Sequence, residues 1–332
     1  MKRILLLSLL TLLLFAANLF LGSVAIPFGE VVQILCGRVS AHPSWSYILL
    51  QSRLPQAVTA LLAGASLAAS GLMLQTSFRN PLAGPDILGI NAGAGLGVAI
   101  VMLAFGGLLP ATGMAAVGAR LTVVGAAFVG AVGVTALLLL FATFTRGNAM
   151  LLIVGLMLGY LVSSVVSLLN FFSTAEGVQS YMLWGMGTFG GVTLSRLPLF
   201  AGLTLVGLAL SVSLVKPLNA LLLGPRYAES LGIAVKRTQR RLLLATGLLV
   251  AVTTAYCGPV SFLGLAVPHV ARLLIHEGDH RLLLPATLLT GSSAALLCNL
   301  LCVLPGGGTV LPLAAITPLV GAPVILYVIL KK

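Results

Sequence analysis

Long apolar runs separated by short polar breaks make up most of the chain. The runs approach the roughly 20 residues that an α-helix needs to cross a bilayer, and they lack the alternation of barrel strands. Breaks at proline, glycine and charged residues therefore predict ten membrane-spanning helices. These are residues 4–26, 47–72, 88–106, 115–142, 149–171, 196–215, 241–257, 260–275, 282–303 and 312–330. We expect an all-α polytopic membrane protein.

The composition supports lipid as the main solvent of this chain. Of its 332 residues, 59% are apolar and 7% are charged, whereas a soluble domain has about 25% charged residues. The net charge of +12 does not predict nucleic-acid binding, because no basic face is interleaved with aromatic residues. The basic residues lie mainly between the apolar runs, where the positive-inside rule places them.

These basic residues also predict the orientation. With the N-terminus in the cytoplasm, and the first run read as an uncleaved helix, 14 of the 18 Lys and Arg residues face the cytoplasm. The other side then keeps only Arg38, Arg53, Arg120 and Arg196. This asymmetry is the pattern of cytoplasmic loops. The even number of spans returns the C-terminus to the cytoplasm.

Two segments interrupt the apolar pattern in similar ways. Residues 79–89 and residues 258–269 each combine prolines and glycines with polar side chains, and each follows a long helix. The two preceding helices run in opposite directions across the membrane. Paired interrupted segments in two halves of a chain indicate an inverted repeat, which is typical of transporters.

The longest polar stretch, residues 216–241, contains six basic residues. Pro225 suits the first position of a helix and Gly232 suits a C-terminal cap. We therefore predict a short helix here, in the largest cytoplasmic loop. It could dock a soluble partner, although composition alone is equally consistent with a solvated loop.

No enzymatic site, metal site or cofactor site is predicted. No Lys follows a Gly, so the phosphate-binding GxxxxGK[ST] loop is absent. If ATP powers this protein, another subunit must hydrolyse it. The HExxH pattern from His276 to His280 lies in a short loop with poor helix formers, so we interpret it as a chance match. The four cysteines form no CxxC pair.

An ion-coupled secondary transporter is the alternative prediction. The interrupted segments favour it, as does Asp86, the one acidic residue inside or beside a span. Against it, the chain has only six acidic residues to serve as proton or cation sites.

A series of motifs resembles the permeases of ABC importers for iron-siderophores, haem and cobalamin. They keep one order from residue 53 to residue 323. The motifs are Arg53-Leu54-Pro55, Gly64-Ala65-Ser66-Leu67-Ala68, Gly71-Leu72-Met73-Leu74-Gln75, Arg79-Asn80-Pro81-Leu82-Ala83, Leu88-Gly89, Trp184-Gly185-Met186-Gly187, Phe189-Gly190-Gly191, Leu231-Gly232, Gly258-Pro259, Phe262-Leu263-Gly264-Leu265, Pro268-His269, Asp279-His280-Arg281, Leu284-Pro285 and Gly321-Ala322-Pro323.

The resemblance implies an assembly and a division of labour. Residues 1–332 would be a single transmembrane permease domain in the inner membrane, paired with a second permease subunit, expected to be an identical copy. Two cytoplasmic ATPase subunits and an extracytoplasmic binding protein would complete the importer. The segment within residues 216–241 that matches the family's coupling helix comprises Pro225, Arg226, Ala228, Glu229, Leu231 and Gly232.

The resemblance also implies a pathway and a docking surface. The fifth span would line the pathway and the loop before it would narrow the exit, which assigns Gly147, Asn148, Gly155 and Gly159 to pathway and gate. Relatives often have a second basic residue after the RLP motif, where this chain has Gln56. They also often have an arginine near the end of span nine, where residues 300–304 are apolar. Docking of the binding protein is therefore predicted to depend on Arg53 and Arg38.

Overall fold

The computed structural model describes residues 2–38, 40, 42–104, 113–144, 148–303 and 310–330. Every regular element within them is helical, which confirms the all-α prediction. The helices are α1 (Lys2–Phe20), α2 (Phe28–Leu35), α3 (Pro43–Tyr47), α4 (Leu54–Phe78), α5 (Ile90–Ala99), α6 (Gly113–Phe144), α7 (Asn148–Phe172), α8 (Ala175–Gly185), α9 (Leu197–Ser213), α10 (Val215–Leu222), α11 (Pro225–Ser230), α12 (Val235–Cys257), α13 (Leu263–Ile275), α14 (His280–Val303) and α15 (Leu313–Leu330). A π-helical turn, Ile48–Arg53, joins α3 to α4, a second, Ile100–Ala104, extends α5, and Phe189–Gly191 forms a 3₁₀ turn.

Each predicted span has a counterpart among the helices of the described ranges. Six stretches are long and apolar enough to cross a membrane: α1, α3 with α4, α6, α7, α12 and α14. The sixth predicted span is the pair α9 and α10, which is bent by 47°. The remaining three spans are the shorter apolar helices at Ile90–Leu103, Leu263–Ile275 and Leu313–Tyr327.

Some boundaries differ from the prediction for local reasons. The first helix ends at Phe20 rather than at residue 26, because Gly22 and Ser23 follow and Pro27 precedes a separate helix, α2. The seventh span, α12, begins at Val235 rather than at residue 241. Its first turns carry basic side chains, whose long stems allow the charged ends to stay in water.

Close helix packing around α4 forms the centre of the protein. In the most apolar stretch of the span that contains α4, 83% of the residues are buried, whereas in α7 the share is 17%. A Cβ atom added at Gly64 would lie 2.2 Å from the carbonyl oxygen of Gly291 on α14. One added at Gly71 would lie 1.6 Å from the carbonyl oxygen of Gly264 on α13. Small residues at these crossings let the backbones touch, which is how membrane helices gain packing energy.

The two interrupted segments predicted from the sequence meet in the structure. The side chain of His269 contacts the carbonyl oxygen of Pro81, with 2.8 Å between Nε2 and the oxygen. Gln75 Nε2 donates to the carbonyl oxygen of Leu265 at 3.1 Å, and Arg272 donates to Gln75 Oε1 at 2.6 Å. The breaks in the two halves therefore form one joint, in which each segment satisfies polar groups of the other.

Candidate functional site

The polar stretch at residues 216–241 contains the predicted short helix, which the structure places at Pro225–Ser230 as α11. Gly224 has a φ of +108°, a conformation that favours glycine, and turns the chain from α10 into α11. Pro225 follows at the first helical position, where its missing N–H costs nothing. Gly232, also at positive φ (+80°), begins the connection to α12.

One face of α11 is anchored and the other is open. Ala228 is fully buried and packs with Ala220, Leu221 and Val235 in a small cluster. Tyr227 and Leu231 are 51% and 56% exposed. Of the other predicted coupling residues, Arg226, Glu229 and Gly232 are also exposed, and Pro225 is half-buried. The loop thus exposes apolar and charged groups, while Ala228 holds the opposite side of α11 against α10 and α12.

A buried polar network connects this loop to the transmembrane helices. Asn219 on α10 accepts hydrogen bonds at Oδ1 from both the backbone N–H and the ring of His280, each at 2.8 Å. The other ring nitrogen of His280 bonds the hydroxyl of Thr76 on α4 at 2.9 Å. Because Nδ1 faces an oxygen that can only accept, His280 is protonated there and accepts from Thr76 at Nε2.

Asp279 completes the network at its exposed end. Asn219 Nδ2 donates to Asp279 Oδ1 at 2.6 Å, and the backbone N–H of Arg281 donates to the same oxygen at 2.8 Å. The bonds from Arg281 and Asn219 hold the pKa of Asp279 below its usual range. The motif at residues 279–281 therefore fixes the position of α10, and both histidines of the HExxH pattern have structural contacts. His276 ends α13 in a left-handed conformation and bonds Arg3.

Arg53, one of the two predicted docking residues, is 6% exposed. It donates to the backbone carbonyls of Leu19 at 2.9 Å, Phe20 at 3.0 Å and Val24. These are carbonyls at the end of α1 and just beyond it, groups that a helix leaves unsatisfied. This geometry gives Arg53 a structural role and does not support the predicted docking role. Arg38, in contrast, is exposed at the end of α2.

Gln56, where relatives often have a basic residue, takes part in an amide chain. Its Nε2 donates to Asn299 Oδ1 at 2.9 Å, and Asn299 Nδ2 donates to Asn18 Oδ1 at 2.7 Å. Asn18 in turn donates to the carbonyl of Leu296 at 3.1 Å. The position therefore joins α1, α4 and α14 through neutral groups, and it adds no charge to a docking surface.

The predicted pathway residues fall into two groups. Gly147 lies outside the described residues, and of Asn148 only its backbone position at the start of α7 is described. Gly155 and Gly159 pack against residues 87–89, and their assignment to the pathway stays a prediction. A Cβ atom at Gly155 would lie 2.9 Å from the Cα of Leu88, and one at Gly159 would lie 3.6 Å from the Cα of Gly89. Their small size lets the interrupted segment at residues 79–89 approach α7.

A polar stripe on α7 was missed by the sequence analysis. Tyr160, Ser163, Ser164 and Ser167 are exposed near the middle of this helix, at spacings that place them on neighbouring positions of one side. Exposed hydroxyl groups at membrane depth usually face protein or water. The signal was the three serines of residues 163–167, which the hydropathy pattern hid within an apolar run.

Asp86 lies beside this stripe, in the joint between the interrupted segments. Its carboxylate accepts from Asn91 Nδ2 at 2.5 Å and from the backbone N–H of Phe262. Asn91 Oδ1 accepts from Thr254 on α12 at 2.7 Å. Asp86 is exposed in the single chain.

Comparison with known proteins gives three agreeing results. The sequence matches the profile of the FecCD transport family over residues 9–331. The vitamin B12 import system permease protein BtuC of Klebsiella pneumoniae subsp. pneumoniae is 37% identical over 284 residues, which is 85% of this chain and 82% of that protein. BtuC of Escherichia coli (strain K12 / DH10B) is 36% identical over 291 residues, 87% of this chain and 85% of its own.

Among solved structures, a metal-chelate type ABC transporter in an inward-facing conformation has a TM-score of 0.85 at 28% identity. The match covers 100% of this chain and 99% of the other. The fold, the family and the class of protein thus agree. The chain belongs to the FecCD transport family: it is a multi-pass inner-membrane permease subunit of an ABC importer, which relies on ATPase and binding-protein partners and is not itself an enzyme.

Proposed function

We propose that the chain is one half of a permease homodimer that imports cobalamin or an iron chelate, either a siderophore complex or haem. Two ATPase subunits would bind its cytoplasmic side and a binding protein would deliver the ligand on the other. Cobalamin is the first ligand to test, because the BtuC relatives are named as vitamin B12 permeases. Residues 1–332 act in this proposal as a single transmembrane domain.

The open face of α11 is the observation that carries the proposal. Tyr227 on α11 and Leu231, the residue that follows this helix, are half-exposed side chains in the basic loop. Exposed apolar groups rimmed by charges, here Arg226 and Glu229, mark a surface that a partner covers. Ala228 anchors the same helix, so a force on the open face would move α10 and α12 with it. This supports residues 216–241 as the coupling loop.

The large exposed surface of α7 supports pairing with a second permease subunit. Only 17% of its apolar stretch is buried within one chain, so most of its surface is left for lipid or for a partner. A second copy placed across this face would enclose the stripe, and the space between the copies would form the pathway. In homodimers the same surface is used twice, which requires no additional protein.

Arg38 is the remaining candidate for contact with the binding protein. It is exposed, and on the predicted orientation it lies outside the cytoplasm. A single rim charge of this kind mainly raises the association rate and contributes less to the final affinity.

The test is reconstitution of the permease with its ATPase and binding protein in liposomes, with cyanocobalamin, a ferric siderophore and haem offered in parallel. We expect accumulation of one ligand that requires ATP, and a mass of the detergent-solubilised permease equal to two copies of the chain. A variant ATPase lacking its P-loop lysine is the matched control.

Two results would contradict the proposal. Accumulation driven by an ion gradient in liposomes that contain the permease alone would favour the ion-coupled alternative, especially if Asp86→Ala abolished it. A permease that transports ligand with ATP but contains only one copy of the chain would remove the homodimer.

A further inference from the structure

A recess opens beside the polar stripe of α7, between α5, α7 and α8. Its volume is about 420 Å³, and its lining includes Asn91, Ser163, Ser167, Tyr181 and Trp184. The rings of Tyr181 and Trp184 stack with centroids 6.0 Å apart and planes 28° from parallel. The recess therefore offers a flat aromatic wall on one side and hydroxyl and amide groups on the other.

Glycine at position 95 leaves room for this aromatic wall. A Cβ atom there would lie 3.2 Å from the hydroxyl oxygen of Tyr181. The amide of Asn91 is also held in one orientation, because it donates to Asp86 and accepts from Thr254. Groups fixed in advance lose little entropy when a ligand arrives.

The helices that form the recess carry no basic residue. The three helices that form it lie within residues 80–119 and 147–195, which contain no Lys or Arg. The same two ranges contain two acidic residues, Asp86 and Glu176. Asp86 bonds directly to Asn91 on the recess wall. A cleft with low-dielectric walls strengthens the field of such charges.

We propose that this recess is a cargo-contact site for an uncharged or cationic amphipathic ligand, and that it disfavours polyanionic ones. The inference rests on the proposed function, in which α7 lines a water-filled pathway. A flat apolar portion of the ligand would lie against Tyr181 and Trp184, while amide or hydroxyl groups on its edge would bond Asn91, Ser163 and Ser167. A polyanion would meet Asp86, and α5, α7 and α8 supply no basic residue to neutralise it.

The proposal narrows the ligand class within the proposed function. Cyanocobalamin, which is uncharged and rich in amide groups, and uncharged hydroxamate chelates of iron match the chemistry of the recess and could place one edge in it. Tris-catecholate iron complexes, which are polyanions, do not. Haem, with two carboxylates, is also disfavoured.

The electrostatic part can be measured without knowing the cargo. In the assembled transporter, Cys36→Ser removes the exposed cysteine while the other three stay buried, and Ser163→Cys places a thiol at the recess. The rates of modification by a cationic and an anionic methanethiosulfonate are then compared with their ratio on a free thiol. We expect the cationic reagent to be favoured about fivefold or more, as for a nearby negative charge in a partly desolvated site. Asp86→Asn should reduce that preference.

The possible outcomes distinguish the charge selectivity from the pathway. A normalised ratio of one, or a preference for the anionic reagent, would overturn the charge selectivity and leave the proposed function standing. Failure of both reagents to modify the thiol of the Ser163→Cys variant in every nucleotide state would show that α7 does not face water, which overturns the proposed pathway itself.

Ligand protection tests the binding part. Cyanocobalamin should slow the modification of the thiol introduced by Ser163→Cys, and a tris-catecholate iron complex at the same concentration should not. Equal protection by both would overturn the selectivity, and Tyr181→Ala should weaken protection by cyanocobalamin if the aromatic wall contributes.

Discussion

Asn219 holds His280 through two hydrogen bonds to a single oxygen, one from the backbone N–H and one from the imidazole, both at 2.8 Å. His280 is fully buried, and its other ring nitrogen bonds the hydroxyl of Thr76 on α4. The helix that precedes α11 is thereby tied to the two helices at the centre of the protein. In the proposed function, these hydrogen bonds would transmit motion of the coupling loop to the helices of the membrane domain.

Asn219→Leu should separate ATP hydrolysis from transport. The change leaves the N–H groups of His280 without their acceptor, a loss of about 1–3 kcal/mol, and frees α10 from α14. We expect ATPase activity in the assembled transporter to persist while ligand accumulation falls about tenfold. Transport per ATP is the quantity to measure, because a purely structural defect would lower both rates together.

Thr122→Val is the matched control for this prediction. The exposed hydroxyl of Thr122 on α6 donates to the carbonyl oxygen of Gly118, one turn back on its own helix, at 3.0 Å. Its replacement should leave transport per ATP unchanged. If Asn219→Leu also left that ratio unchanged, the network would not carry coupling.

Leu231→Asp should weaken the contact with the ATPase. The side chain is 56% exposed in the proposed coupling loop, and a charge there would have to be desolvated under a partner. We expect lower copurification of the ATPase and lower transport, with unchanged insertion of the permease. Leu231→Met, which keeps an apolar side chain, should behave like the original protein. Equal behaviour of both variants would place the docking surface elsewhere.

Arg53→Met should lower thermal stability, whereas Arg38→Gln should slow association with the binding protein. Loss of Arg53 leaves the carbonyls at the end of α1 without their charged donor, which should cost about 3 kcal/mol and lower the melting temperature in detergent. Loss of Arg38 should leave the melting temperature unchanged and slow association with the binding protein, most visibly at low salt. A normal melting temperature for Arg53→Met would contradict the structural role of this arginine.

Gly71→Ala should prevent assembly of the helices. The new methyl group would lie 1.6 Å from the carbonyl oxygen of Gly264, and a backbone atom cannot move aside cheaply. We expect little folded protein by size-exclusion chromatography. Gly202→Ala on α9, where nothing lies within 4 Å, should be neutral or stabilise by up to about 1 kcal/mol. A well-folded Gly71→Ala protein would show that the crossing of α4 and α13 can open without loss of the fold.

The ten spans, their order and the interrupted segments were predictable because hydropathy and helix breakers act locally along the chain. A run of apolar residues must become a helix in lipid whatever its neighbours are. The short helix at Pro225 was likewise predictable from proline and glycine positions alone. The motif blocks identified the family, since their order over the chain is far more specific than any single pattern.

The roles of Arg53, Gly155 and the serines of α7 depended on the tertiary structure. Whether an arginine points to a partner or to the end of α1, and whether a glycine lines a pathway or lies under residues 87–89, is decided by residues distant in sequence. The recess beside Tyr181 and Trp184 likewise combines three helices. Local sequence determines which helices form. The contacts between helices determine which side chains remain available to a ligand, because packing buries one face of each helix and leaves the others exposed.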